Sequence, residues 1–560
     1  MVSSAASKMW TAAVDLFVSS SSSSTTTTFY TSAMAASLTP RRRLTCSASN
    51  VAPRLVPYPP DLIGWVRREG GFVHRAIKVR DDVTHGLGLV ASEGIPTGSE
   101  LIALPDRLPL RWSPQDLDAG DGPGSVLANL ARQIPDLPRF NLQTAKSKEN
   151  CRINNFYLNT ILYPARLNFK QGVNYTCGEH VAEELWGMRL GLKLLQERAR
   201  AGSFWWPYIS NLPETFSVPI FFSGEDIKNL QYAPIVHQVN KRCRFLLDFE
   251  REIENMLTDV ALEDHPFGGQ EITASSLGWA MSAVSSRAFR LHGNVLPDGS
   301  QADIPMMLPL IDMCNHSFHP NARIVQEQDA GNSMMLVVAE TQIEQDTPIL
   351  LNYGSLNNDL FLLDYGFVVP SNPHDFIELK YDGALLDAAS MAAGVSSPNF
   401  SSPAQWQLQI LSRLNLHGTG ALPKAFVNSG VLAPVRVTLG GQNLIDGRLL
   451  AALRVLLSND VDGVQKHNLN TLMSLSSEAP LGVATEVTAF RTMIALCVIA
   501  LEQFPSKTME DESLLKEDIS SSAKLAIQFR MQKKLMIIDA MKEITKRIKE
   551  LSKEKAASQG

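Results

Sequence analysis

The sequence predicts an α+β protein in which two β-rich stretches are separated by a long helical one and followed by a second, mostly helical region. Three observations carry this prediction. Short glycine-punctuated β-like runs lie between Asp61 and Pro109, β character returns between Met306 and Val369, and the stretches between and after them have helical spacing. The 560 residues are 44% hydrophobic and 19% charged, which supplies two or three domains with sizeable cores and excludes fibrous and wholly disordered classes. The longest strongly apolar run, Met493 to Leu501, is nine residues. A spanning helix needs ~20, so no membrane span is expected. Six cysteines without CxxC spacing suggest neither a disulfide framework nor a thiolate zinc site. The net charge of -6 gives no general attraction to nucleic acid.

Residues 1–50 form a separate class. They hold thirteen Ser and eight Thr, Asp15 is the only acid, and Arg41-Arg42-Arg43 comes near the end. This is the composition of an organelle transit peptide, and the Ser/Thr tracts favour the plastid stroma. The expected cleavage site lies between about Arg43 and Pro53.

The β-like runs that follow are GFVHRAIKVR, HGLGLVAS and SELIALP. After Pro109 the pattern turns helical. Val181, Leu185, Met188, Leu192 and Leu195 are spaced 4-3-4-3 with Gly202 as the stop, and further helices are predicted over Lys241–Leu257 and Ala274–Leu291. MMLVVAE and PILLNYG flank TQIEQDT in the manner of a hairpin. The turn residues SNPHD place a boundary near Pro370 to Asp375, and the chain ends in a long helix striped by Met531, Leu535, Ile538, Met541, Ile544, Ile548 and Leu551.

Four constellations stand out. Gly86-Leu87-Gly88 would let backbone groups approach a ligand with no Cβ in the way, although a plain turn explains an isolated GxG. Ser286-Arg287-Ala288-Phe289 closes an amphipathic segment and reads equally well as a helix C-terminus. Asp312-Met313-Cys314-Asn315-His316 follows the apolar run MMLPLI, so its polar groups need partners or a ligand. A metal reading of Asp312, Cys314, His316 and His319 is set aside, because no second ligand pair accompanies them. A hydrolase reading with Cys314 as nucleophile lacks a nearby oxyanion element. The fourth is Asn352-Tyr353-Gly354 with Asp364-Tyr365-Gly366-Phe367 twelve residues on, aromatics that are either core or the walls of a narrow channel.

In this order, GLGL, SRAF, DMCNHS, NYG and DYGF, with LPETFSVPIFF in the helical stretch, the chain resembles the SET-domain protein methyltransferases similar to the plant Rubisco large-subunit lysine methyltransferase. The resemblance implies a split, pseudoknotted SET domain over 61–370 with a helical insertion at about 111–285. An all-helical substrate-binding domain would follow over 375–548. It implies S-adenosylmethionine as cofactor, held by Gly86, Leu87, Gly88, Ser286, Asn315, His316, Tyr353 and Phe367. It places Tyr353 beside the transferring methyl group, and it lines the substrate channel with Arg287, Phe289, Asp312 and Tyr365. The implied activity is N-methylation of a lysine on a plastid protein, with no metal and no membrane. The alternatives are a histidine acceptor, since relatives in this branch methylate a histidine of actin, and a catalytically weak scaffold in plastid gene-expression complexes. Ten Lys/Arg against four Asp/Glu over 524–555 give the scaffold reading its support, and a solvated helix face is the plainer explanation.

Overall fold

The computed structural model describes residues 54–82, 86–112, 123–134, 177–295, 301–329, 332–396, 398–416, 435–475 and 479–557. The expected leader over 1–50, its cleavage site and the 135–176 part of the helical insertion lie outside the described residues.

The first part of the chain is built from small sheets. Helix α1 (Leu62–Arg68) leads into β1 (Phe72–Val73), β2 (Ile77–Asp82), β3 (Gly86–Ala91), β4 (Glu100–Pro105) and β5 (Leu110–Arg111). Then come helices α2 (Pro123–Gln133), α3 (Cys177–Ala199), α4 (Trp206–Ile209), α5 (Gly224–Lys228), α6 (Ala233–Leu257) and α7 (Ala274–Arg287). Strands resume with β6 (Ala288–Val295), β7 (Gln301–Met307), β8 (Asn315–His316), β9 (Ala322–Asp329), β10 (Asn332–Ala339) and β11 (Leu350–Leu351). The sheets are β1-β4-β10-β9, β2-β3, β5-β7-β6 and the parallel pair β11-β8. β4 has four consecutive buried residues, Leu101 to Leu104, because both of its faces are covered.

A short helix, α8 (Asn358–Leu360), opens the second part and runs into a π-turn over Phe361–Tyr365. Beyond it are β12 (Phe376–Lys380), α9 (Gly383–Ala392), α10 (Gln405–Arg413), β13 (Arg436–Gly440), α11 (Gly447–Leu457), α12 (Val461–Gln465), α13 (Leu469–Met473), α14 (Val483–Glu502), α15 (Thr508–Leu514) and α16 (Ser521–Ala557). By length and composition α14 could cross a membrane, but here it is a core helix. Its Phe490, Met493, Leu496 and Cys497 are buried, and it packs against α9 and α16. One continuous hydrophobic core joins both parts of the chain.

The expected helix over 181–195 lies inside α3, and that over 241–257 inside α6. Four expectations are corrected. MMLVVAE and PILL do not pair with each other: β10 pairs with β9 and β4, while β11 pairs with β8. The helix expected to reach Leu291 ends at Arg287, because Phe289 and Leu291 alternate on β6 opposite Met306 and Ile304 of β7. The region after 375 contains an antiparallel pair, β12-β13, whose strands are 55 residues apart and leave no local hairpin signal. On α16 the most buried face runs through Ala526, Phe529, Arg530, Lys533, Ile537, Ala540 and Ile544, so the predicted apolar stripe sits beside it and only Ile544 and Leu551 of that stripe are buried.

Candidate active site

Gly88 on β3 is buried against the segment that follows β7. A Cβ at this position would lie 2.7 Å from Asn315 Nδ2 and 3.7 Å from Met313 O, so the absent side chain is what lets Asn315 lie along the strand. That segment is turned by Leu310, a buried non-glycine residue at φ 71°. Such a conformation costs about 1–3 kcal/mol and is kept only where the surroundings enforce it. A 3-10 turn over Ile311–Met313 and strand β8 follow, and pairing with β11 puts Tyr353 two residues past the end of the ladder.

Asn315, His316 and Tyr353 thereby share one site. His316 Nδ1 accepts from Tyr353 N at 3.2 Å, and its Nε2 is a buried atom with no hydrogen-bond partner among the described residues. Burial, with His374 nearby, pulls the imidazole down to about 4, so it is neutral at physiological pH. Tyr353 Oη donates to Cys314 O at 2.6 Å. Burial pushes this phenol well above its ordinary value. The Cys314 thiol is likewise raised by burial, and what it offers the site is its carbonyl.

Rings complete the wall. Tyr365 stacks on Tyr353 with centroids 5.1 Å apart and planes at 24°, Phe361 lies 5.0 Å from Phe367, and His316 lies 4.8 Å from Phe361. Beside the wall, Tyr208 of α4 donates to Asp312 Oδ2 at 2.7 Å, and Arg287 Nη1 donates to Asp312 O at 3.1 Å. Burial raises the Asp312 carboxyl, while Arg287 and Tyr208 oppose that shift. These three side chains line a small cavity together with Leu87 and Met313.

Of the residues expected from the sequence, Leu87, Gly88, Arg287, Asp312, Asn315, His316, Tyr353, Tyr365 and Phe367 thus meet in one region. Gly86 is at the start of β3, paired with Asp82. Ser286 spends its hydroxyl on Ser282 O within α7. Phe289 sits on β6 opposite Met306, and among the described residues no ring contact joins it to the wall. His85, the residue just before the glycines, lies outside the described residues. Among the described residues no three His, Cys, Asp or Glu side chains converge in a metal-holding cluster.

A family model described as "SET domain" matches residues 86–354, and one described as "Rubisco LSMT substrate-binding" matches residues 398–537. The chain is similar to the Rubisco LSMT-like SET-domain methyltransferases over both regions. Actin-histidine N-methyltransferases of Callithrix jacchus and Homo sapiens are 26% and 25% identical to it over 378 residues, which cover 65% of this chain. The match spans 56% of the length of those relatives. Two solved structures, "Crystal structure of the SET domain of LSMT bound to Lysine and AdoHcy" and "Structure of Rubisco LSMT bound to AdoMet", share the fold. Their TM-scores are 0.51 and 0.50 at 17% identity, covering 88% of this chain and 92% of theirs.

The SET core also uses residues that sequence reasoning missed. Arg242 of α6, 3% exposed, donates to Leu363 O and to Asp364 Oδ1, both at 2.7 Å, and so clamps the π-turn that presents Tyr365. A π-turn breaks the regular i to i-4 ladder, and the guanidinium takes up one of the carbonyls involved. Gly366 ends the turn at φ 75°, where a Cβ would come within 2.8 Å of the Ser217 backbone. The chain around LPETFS is therefore packed directly behind the wall. The DYG spacing marks Gly366 in the sequence, but nothing local marks Arg242 as its clamp.

Proposed function

We propose that this chain is an S-adenosylmethionine-dependent protein methyltransferase whose acceptor is a lysine side chain of a plastid protein. The observation that carries the reading is the Tyr353 hydroxyl on the Cys314 carbonyl, set in an aromatic pocket beside Gly88, Asn315 and His316. The residues fit the cofactor: a glycine strand that a Cβ would block, a buried His316 Nε2 without a partner among the described residues, and a neutral imidazole that adds no charge next to a sulfonium.

When bound, the cofactor supplies an electrophilic methyl group to an in-line displacement. The chain's own task is positioning and water exclusion. An acceptor lysine must lose its proton, which costs about 4.6 kcal/mol at pH 7 from an ordinary value near 10.4. Burial against Tyr353, Tyr365 and Phe367 disfavours the ammonium and lowers that cost. The Tyr353 phenol stays neutral and offers an oriented dipole. The Asp312 carboxylate is already engaged by Tyr208 and Arg287, so it does not serve as a free anion that would hold the proton on.

The curated relatives named above favour a second reading, with histidine as acceptor. An imidazole needs less deprotonation, and its second nitrogen needs a hydrogen-bond partner in the channel. Both readings are tested by incubating the chain from Ala52 onward with labelled cofactor and either stromal extract or actin, then identifying the methylated amino acid. Methyl-lysine that disappears with Tyr353→Phe supports the first reading, and methyl-histidine replaces it with the second. Cofactor binding without any transfer to either leaves the scaffold role. The plastid assignment rests on the Ser/Thr-rich, acid-poor leader. Residues 1–60 fused to a fluorescent protein should direct it to plastids, and a cytosolic signal would remove that part of the proposal.

A further inference from the structure

The last helix buries a lysine completely. Lys533 on α16 has a fully buried side chain, with Nζ 2.6 Å from Asp375 Oδ1, 2.7 Å from Phe376 O and 3.3 Å from Asp359 Oδ2. The rings of Phe529 and Tyr232 lie 5.4 and 5.5 Å from the same atom. An ammonium with three donors is thus satisfied, yet burying such a pair seldom adds net stability over a well-packed apolar side chain. Its use has to be sought in what it fixes.

What Lys533 fixes leads to the aromatic wall. Asp375 accepts from Asn358 N at 3.0 Å and from Asn358 Nδ2 at 3.1 Å. The Asn358 amide in turn closes the chain on itself, donating to Val369 O at 3.0 Å and accepting from Val369 N at 2.9 Å. Phe361, Tyr365 and Phe367 all lie inside the loop so closed. We propose that Lys533 is a positioning residue of the SET-core site: through Asp375 and Asn358 it sets the turn 358–369 that holds Tyr365 and Phe367 against Tyr353. The C-terminal region thereby fastens one wall of the acceptor channel. This inference rests on the reading of that pocket as the site of methyl transfer.

The test uses the full chain from Ala52 and three variants. Lys533→Met leaves two carboxylates unpaired, so Lys533→Met with Asp359→Asn is made beside it to preserve folding. Arg454→Met is the control, because Arg454 is equally buried in the C-terminal region, pairs with Glu486 and has no link to the turn. Hydrogen exchange of residues 358–369 is measured with saturating sinefungin, together with sinefungin affinity and the transfer rate per folded molecule. The double variant is expected to exchange this segment at least ten-fold faster and to transfer at least ten-fold more slowly, with sinefungin affinity within three-fold of the parent. Arg454→Met should alter none of these. Unchanged exchange at 358–369 in the folded double variant overturns the proposal, as does equal damage from Arg454→Met. A parent chain that transfers no methyl group removes the functional reading instead, and the exchange result still decides whether Lys533 sets the turn.

Discussion

A methyl group added at position 88 would meet the Asn315 amide at 2.7 Å, and that contact ties a three-residue glycine motif to a polar cluster more than two hundred positions away. Gly88→Ala should weaken sinefungin binding at least ten-fold in calorimetry while moving the unfolding midpoint little, since the side chain it displaces is the flexible end of an asparagine. A change in stability with no change in affinity would argue that the cradle lies elsewhere. Tyr208→Phe is a different kind of change. It removes the hydroxyl donor to a buried carboxylate and should cost about 1–3 kcal/mol in urea unfolding. Gly88, Asn315, His316 and Tyr353 were legible because short chemical motifs survive without their context. Tyr208 and Arg242 were not, because their partners are 104 and 122 residues away and nothing local distinguishes them from any buried tyrosine or surface arginine.

The wall is presented by an irregular element, the π-turn over Phe361–Tyr365, which ends in a left-handed glycine and is gripped from behind by α6. Arg242→Met leaves Asp364 without its buried cation and should cost about 3–5 kcal/mol of stability. A loss below 1 kcal/mol in denaturant titration would mean that the clamp is not an anchor. Strands and helices were legible where their period was long, as in α3 and α6. They were misread where a partner far along the chain decides the outcome. PILL becomes half of a parallel pair with Asn315–His316, and Phe289 and Leu291 turn strand-like because β7 lies beside them. Parallel pairing requires a long connection, so it leaves no adjacent turn signal for the sequence to display.

Across the whole molecule, the core is continuous between the two matched regions, and buried ion pairs tie α16 to what precedes it. Six of the ten basic residues of 524–555 are engaged in ion pairs. Arg530, Lys533 and Lys534 are consumed by Asp511, Asp375 and Asp359, while Lys542, Lys546 and Arg547 pair along the helix with Asp539 and Glu543. Asp359 is pushed up to about 7 by burial, which Lys533 opposes and Asp375 and Glu378 reinforce. Between pH ~4, where an unfolded aspartate titrates, and about 7 the folded chain holds a proton that the unfolded chain has released. Stability therefore falls as pH rises through that window. Asp359→Asn should gain on the parent from pH 5 to pH 7 and hold its lead above that, in urea midpoints. A difference independent of pH would contradict the assignment.

The place of Lys533 near the far end of the chain also gives the fold an order in time. Synthesis proceeds from the amino end, so the strands bearing Gly88, Asn315 and Tyr353 emerge from the ribosome long before residue 533 has been added. If Lys533 sets the turn 358–369, the wall opposite the cradle is fastened only once α16 has been made.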